Sequence, residues 1–290
     1  MDSTFMDSPS NIINNRLISR KKKPLMLAND EIHVWVVQPN AFQANDPILL
    51  RYYSLLNTTE KTKQQRYKFA KDRHDALITR AFIRDLLSYY QSKHPKDWQF
   101  EYGDKGKPEV INCELPLRFN LSHTENIIIC AVTLNHDIGC DVENTSRNND
   151  VLAIAERYFS TSEADELFSL PKEAQTSRFF DYWTLKEAYI KAWGLGLSIP
   201  LKDFSFSIGD QTCNHNNNFA IKDNINLNFA DHRDDNPSIW RNWLLYPTKA
   251  IDEKQQHRIA LSLRAKNDNQ NTHYTLRFFN SLPLFGYTEL

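Results

Sequence analysis

Asp141 and Glu143 stand two residues apart in the run IGCDVE, and Glu187 stands four residues before Lys191 in FFDYWTLKEAYIKAWGLGL. On a strand, a spacing of two sends both carboxylates to one face, roughly 6 to 7 Å apart. On a helix, a spacing of four leaves two side chains only about 40° apart around the axis. If that helix packs on that strand, three hard oxygen donors converge beside one ammonium. Such a set suits Mg²⁺, which takes a few carboxylates and completes its shell with water and phosphate oxygens. Each half of the pattern also has a plainer reading. A lone DxE is common surface alternation, and a Glu–Lys pair at i,i+4 is common on exposed helices, where it contributes a few tenths of a kcal/mol. Spacing alone leaves both readings open.

The elements that must position these groups follow from pattern. IHVWVV from Ile32 has the length and β-branched content of a buried strand. Asn57 with Glu60 reads as a helix N-cap, opening a helix to about Phe69, and a second helix begins after Asp72. On that second helix Arg73, Arg80 and Arg84 share one face, which is either a solvated stripe near Asp75 and Asp85 or a grip for phosphate. GDKGKP at 103–108 is a turn by composition. Leu117 to Leu121, Ile127 to Leu134 and Ile138 to Glu143 read as short strands, with SHTEN between the first two. Ser160 with Glu163 caps a further helix that ends near Pro171, and the longest helical pattern runs from about Thr176 to Trp193, with Gly194 placed to end it. Residues 210–236, with 13 Asn or Asp among 27, read as a loop, although INLNF, WLLY, IALSL and YTLRFF have strand character. The mixed order of strands and helices indicates an α+β chain with a leader at 1–30, an N-terminal half at 31–135 and a C-terminal half at 136–290.

Composition narrows the classes. With 41% hydrophobic and 24% charged residues over 290 positions, the chain is neither disordered throughout nor collagen-like nor a coiled coil. Only 7 glycines are present, and neither a P-loop nor a dinucleotide-binding glycine fingerprint occurs. A net charge of -1 gives no whole-chain attraction to nucleic acid or to an acidic membrane, so any polyanion must be held locally. No apolar run approaches the ~18 residues of a membrane span. Four cysteines without a CxxC pair point to a reducing, cytoplasmic setting. The basic cluster Arg16, Arg20, Lys21, Lys22 and Lys23 has no apolar core after it and reads as a disordered leader rather than a secretory signal.

IGCDVE and the WTLKEAYIKAWGLGL segment, together with GKP at 106–108 and FNLSH at 119–123, resemble the ordered motifs of the 4'-phosphopantetheinyl transferases of the Sfp-type branch, over about residues 60–205. The resemblance implies a pseudo-twofold α+β monomer of two similar halves, each a small antiparallel sheet with packed helices, with coenzyme A in the cleft between them. It implies that Asp141, Glu143 and Glu187 hold Mg²⁺ and that Lys191 contacts the transferring phosphate. His123 with Ser122 would bind the ribose phosphate, Lys107 would reach phosphate or adenine surroundings, and Arg80 and Arg84 would sit at the ribose-phosphate end. The implied reaction moves 4'-phosphopantetheine to a serine of an apo acyl or peptidyl carrier protein and releases adenosine 3',5'-bisphosphate. Glu187, or a water on the metal, is the candidate base. Implied pathways are polyketide, nonribosomal peptide or specialised fatty-acid synthesis. Cys140 is expected to pack as a small hydrophobe, and Trp183 to pack in the core or help place the helix. Two other readings compete: a non-catalytic coenzyme A or carrier-protein binding module, and a Mg²⁺-dependent nuclease, which the charge balance disfavours.

Overall fold

The computed structural model describes residues 24–147, 151–194, 196–210, 214–215, 218–248, 256–266 and 272–290. Its strands are β1 (Glu31–Val37), β2 (Phe100–Tyr102), β3 (Pro108–Val110), β4 (Leu117–Thr124), β5 (Ile127–Leu134), β6 (Asp137–Asn144), β7 (Phe204–Ile208), β8 (Asn214–His215), β9 (Phe219–Lys222), β10 (Ile225–Phe229), β11 (Trp240–Pro247), β12 (His257–Arg264), β13 (Thr275–Leu282) and β14 (Gly286–Glu289). The α-helices are α1 (Ile48–Leu55), α2 (Thr58–Gln65), α3 (Ala70–Tyr90), α4 (Val151–Tyr158), α5 (Thr161–Ser169) and α6 (Lys172–Trp193). Two five-stranded sheets, ordered β14-β13-β1-β5-β4 and β6-β12-β11-β9-β8, carry the two halves of this α+β fold.

Alternation along the strands explains how the sheets stack. Ile32, Val34 and Val36 of β1 join Ile138, Cys140 and Val142 of β6 in one apolar layer between the sheets. Trp35 and Val37 point the other way, into a core shared with α3. The second sheet packs its outer face on α6 through a third core that includes Leu244 and Ala260. A strand buried on both faces reads as a continuous apolar run, which is why IHVWVV shows no alternation. Between the sheets, β4 and β6 are joined by side chains. The Cys140 N–H donates to Asn120 Oδ1 at 2.9 Å, and the Val142 N–H donates to Ser122 Oγ at 3.3 Å.

Both capping boxes form as the spacing predicts, at Asn57/Glu60 and at Ser160/Glu163. Gly194 closes α6 at φ 74°. Several expectations need correction. The first capped helix stops at Gln65, short of Phe69, and α3 starts at Ala70. Ser122, His123 and Thr124 lie within β4, because the turn to β5 is confined to Glu125 and Asn126, the latter at φ 56°. The segment 210–236 is not a plain loop. It contains β9 and β10, whose alternating Phe219, Ile221, Ile225 and Leu227 are buried despite the intervening polar residues. The half-boundary also departs from the expected division, since β13 and β14 return to the first sheet. There β13 runs parallel to β1, so that sheet is not purely antiparallel. Residues 1–23 of the expected leader lie outside the described residues. In residues 24–30, Leu27 is buried and the Leu25 N–H donates to the Tyr89 carbonyl at 2.7 Å, while Pro24, Met26 and residues 28–30 are exposed.

His33 is wholly buried beneath this returning strand, with Nδ1 at 2.9 Å from the Tyr90 hydroxyl. Its Nε2 is 3.4 Å from Glu31 but out of hydrogen-bond alignment. Burial, aided by the Arg277 charge, lowers the imidazole pKa to about 4. Above pH 6.5 the ring is neutral in both the folded and the unfolded chain. Between 6.5 and 4 only the unfolded chain takes up the proton, so His33 should subtract up to about 3 kcal/mol of stability across that window, with no further loss below it. Denaturant titrations at stepped pH should show a steeper loss for the parent chain than for His33→Gln, and identical slopes would exclude His33 as the titrating group.

Candidate functional site

Gly139, Asp141 and Glu143 share the face of β6 turned to α6. A Cβ on Gly139 would lie 1.9 Å from the Ala188 carbonyl oxygen and 2.4 Å from the Ala192 nitrogen, so only glycine lets the helix backbone come this close. Two residues further along β6, the Asp141 Oδ1 accepts from Lys191 Nζ at 2.6 Å. Two further again, the Glu143 Oε1 accepts from the Trp183 indole N–H at 3.2 Å. Glu187 falls between these contacts and lines the adjoining cleft.

Ser122 completes the centre. Its Oγ donates to Asp141 Oδ1 at 2.8 Å and accepts from Lys191 Nζ at 2.9 Å. Burial pulls the Lys191 ammonium pKa down, but the Asp141 charge and hydrogen bond outweigh this and hold it above its usual range. Burial, then repulsion from Asp141, pushes Glu187 up to about 7 against the opposing pull of Lys191. Glu143 is raised by the same two causes, opposed by Arg147. Three carboxylates thus share a desolvated corner with one ammonium, and a further positive charge there would lower the free energy of all three. The Asp141 Oδ2 is buried with no hydrogen-bond partner, and the donors are all hard oxygens, which fits a divalent cation such as Mg²⁺. Among the described residues, no three His, Cys, Asp or Glu side chains already stand close enough to form a metal cage. The Lys191 ammonium lies on Asp141 instead.

The cleft beside this corner has a volume of about 820 Å³. Arg80 from α3, His123 from β4, and Glu187 and Lys191 from α6 all line it. Burial, then the Lys191 charge, lowers the His123 pKa. Three residues singled out by sequence turn their polar groups to partners inside the fold. Arg84 is 1% exposed, pairs with Glu60 at 2.8 Å and donates to the carbonyls of Pro95, Lys96 and Trp98. It is a structural tie and does not face the cleft, so neither the phosphate-grip nor the solvated-stripe reading describes it. Ser122 alternates away from His123 and is 5% exposed, occupied with Asp141 and Lys191. Lys107 borders the cleft, but its ammonium donates to the Ala192 and Ile138 carbonyls. Cys140 is fully buried, as alternation predicts, with its thiol on the Asn120 carbonyl and burial pushing its pKa up to about 12. Trp183 fills both expected roles, stacking on Phe179 while bonding Glu143.

Sequence reasoning missed Arg147 and Lys186. Arg147 donates to Thr124 at 2.8 Å and reaches Glu143 at 3.5 Å, and its only signal was the i+4 spacing from Glu143. Lys186 leaves the opposite face of α6 fully buried, pairs with the capping Glu163 at 2.8 Å and donates to the Leu201 and Phe204 carbonyls.

Residues 137–262 match the family model of the 4'-phosphopantetheinyl transferase superfamily, and residues 41–135 match that of the 4'-phosphopantetheinyl transferase N-terminal region. The 4'-phosphopantetheinyl transferase HetI of Nostoc is 35% identical over 183 residues, covering 61% of this chain and 75% of HetI. The chain belongs to the 4'-phosphopantetheinyl transferase superfamily. Sfp of Bacillus subtilis is 34% identical over 156 residues, covering 53% of this chain and 67% of Sfp, and gsp of Aneurinibacillus migulanus is 35% identical over 153 residues, covering 52% and 62%. These relatives put this transferase in the Sfp-type branch, whose reaction moves phosphopantetheine from coenzyme A to a carrier protein.

Because Gly139 sets the distance between β6 and α6, Gly139→Ala should force the two apart. Expected are a loss of roughly 3 kcal/mol in stability and a transfer rate reduced well beyond the fraction unfolded. A variant with parental melting temperature and turnover would show that the contact does not set the site.

Proposed function

We propose that this transferase acts with Mg²⁺ held by Asp141, Glu143 and Glu187, and that its cleft binds coenzyme A with the pyrophosphate near Lys191. The unpartnered, buried Asp141 Oδ2 beside two raised carboxylates carries the reading. The metal would neutralise charge on the pyrophosphate and on the leaving adenosine bisphosphate. Lys191, held beside the cleft by Asp141 and Ser122, would set its charge against the transferring phosphate. His123 and Arg80, on the cleft wall, are the groups for the ribose phosphate. The carrier serine oxygen attacks the β-phosphorus, the bond to the bridging oxygen breaks toward adenosine 3',5'-bisphosphate, and the serine proton passes to Glu187, the carboxylate placed on the cleft next to Lys191. Acyl or peptidyl carriers of polyketide, nonribosomal peptide or specialised fatty-acid synthesis are the proposed acceptors, and a cytoplasmic monomer is the proposed state. No described helix is long and apolar enough to cross a membrane.

Intact-mass measurement of apo carrier proteins incubated with the enzyme, coenzyme A and Mg²⁺ should show a gain of one phosphopantetheine that EDTA abolishes; a gain unaffected by EDTA would refute the metal assignment. Asp141→Ala should abolish transfer while coenzyme A still binds, more weakly. His123→Ala should chiefly raise the KM for coenzyme A, because it removes a contact to a remote phosphate present in ground and transition states alike. A fall in kcat alone would put His123 in the chemistry instead.

A further inference from the structure

The turn joining β2 to β3 carries two lysines whose ammonium groups end in different places. Lys107 Nζ donates to the Ala192 carbonyl at 2.8 Å and lies 3.4 Å from that of Ile138. Ala192 belongs to the last turn of α6, where carbonyls lack helical partners and carry the negative end of the helix dipole. The Lys107 stem lies over Gly194, where a Cβ would come within 3.2 Å of its Cδ. Lys107 is thus held along its whole length by the end of α6. To follow an anion into the cleft it would have to strip two carbonyls of their donor.

Lys105 is built differently. Its stem crosses the same glycine segment, with a Cβ at Gly196 falling 3.4 to 3.6 Å from its Cγ, Cβ and Cδ. The residue is exposed and lines the cleft. Lys71 is paired with Glu125 and Lys191 with Asp141. The Lys105 ammonium has no hydrogen-bond or ion-pair partner among the described residues.

We infer that Lys105 is the lysine of this turn that binds a coenzyme A phosphate, and that Lys107 is a positioning residue that anchors the turn on the end of α6. The inference rests on the proposed reading of the cleft as the coenzyme A site. It reverses the roles implied by the GKP motif: the motif lysine builds the seat, and the lysine two residues earlier uses it. An ammonium already bonded to two carbonyls gains little from a phosphate. A solvated ammonium on a stem packed against Gly196 loses little freedom on binding one.

Calorimetry with coenzyme A at several salt concentrations, paired with thermal melts, tests both assignments. Lys105→Met should bind coenzyme A about tenfold more weakly, with reduced salt dependence, and should keep the parental melting temperature. Lys107→Met should melt lower while retaining the parental salt dependence, and Lys107→Arg, which keeps a donor for the two carbonyls, should restore the melting temperature. Affinity of Lys105→Met within twofold of the parent would overturn the inference. So would loss of salt dependence in Lys107→Met at unchanged melting temperature. Failure of the parent chain itself to bind coenzyme A would overturn the cleft assignment beneath it.

Discussion

The contact between β6 and α6 is the constraint on which the charged centre depends. Gly139 meets Ala188 and Ala192 backbone to backbone, Asp141 reaches Lys191 on that same turn of α6, and Glu143 reaches Trp183 about two turns earlier. The first of these three contacts has no side chain, which brings the backbones close enough for the other two to be short. A carboxylate on a more distant strand would reach the helix only through water, and the desolvation that raises Glu143 and Glu187 would be lost.

That contact must be held from both sides. On one side, β4 has no ladder to β6, yet Asn120 and Ser122 satisfy β6 backbone donors and fix its edge. Ser122 then uses the same oxygen to bind Asp141 and Lys191, so the seam between the halves and the charged centre are one hydrogen-bonded unit. On the other side, Lys186 pins α6 to the capping Glu163 and to the carbonyls of Leu201 and Phe204. An ion pair so deeply buried contributes little net stability, but losing one partner is costly, so it acts as a device that fixes where the helix lies. Consecutive residues of α6, Lys186 and Glu187, thus face the core and the cleft respectively.

Local chemistry made much of this legible. Both capping boxes, the αL glycine after Trp193 and the strands at Ile32, Leu117, Ile127 and Ile138 follow from rules that act within a few residues. The acidic pair on one face and the Glu187–Lys191 offset were likewise readable as geometry. What escaped depends on partners distant in sequence. The pairing of β13 with β1 spans most of the chain, and nothing in YTLRFF says which sheet it will join. Within 210–236 INLNF was legible as a strand, but β9 escaped because the Asn and Asp around it suit turns, while its Phe219 and Ile221 alternate at strand period and are buried.

The cations show the same limit most plainly. Arg84, Lys107 and Lys186 carry the charge that phosphates attract, and all three spend it on carbonyls inside the fold. A helical wheel or a motif reports that a cation is present and on which face, but its availability depends on whether unpaired backbone acceptors lie within its reach. Such acceptors arise where elements end, as at Ala192 and at Pro95 to Trp98. In a chain of net charge -1 the cleft cannot draw on a general excess of basic residues. On the proposed reading of the cleft, its attraction for a triply phosphorylated donor would rest on the metal and on the cations the fold leaves within reach, and the latter are set by where helices and strands stop.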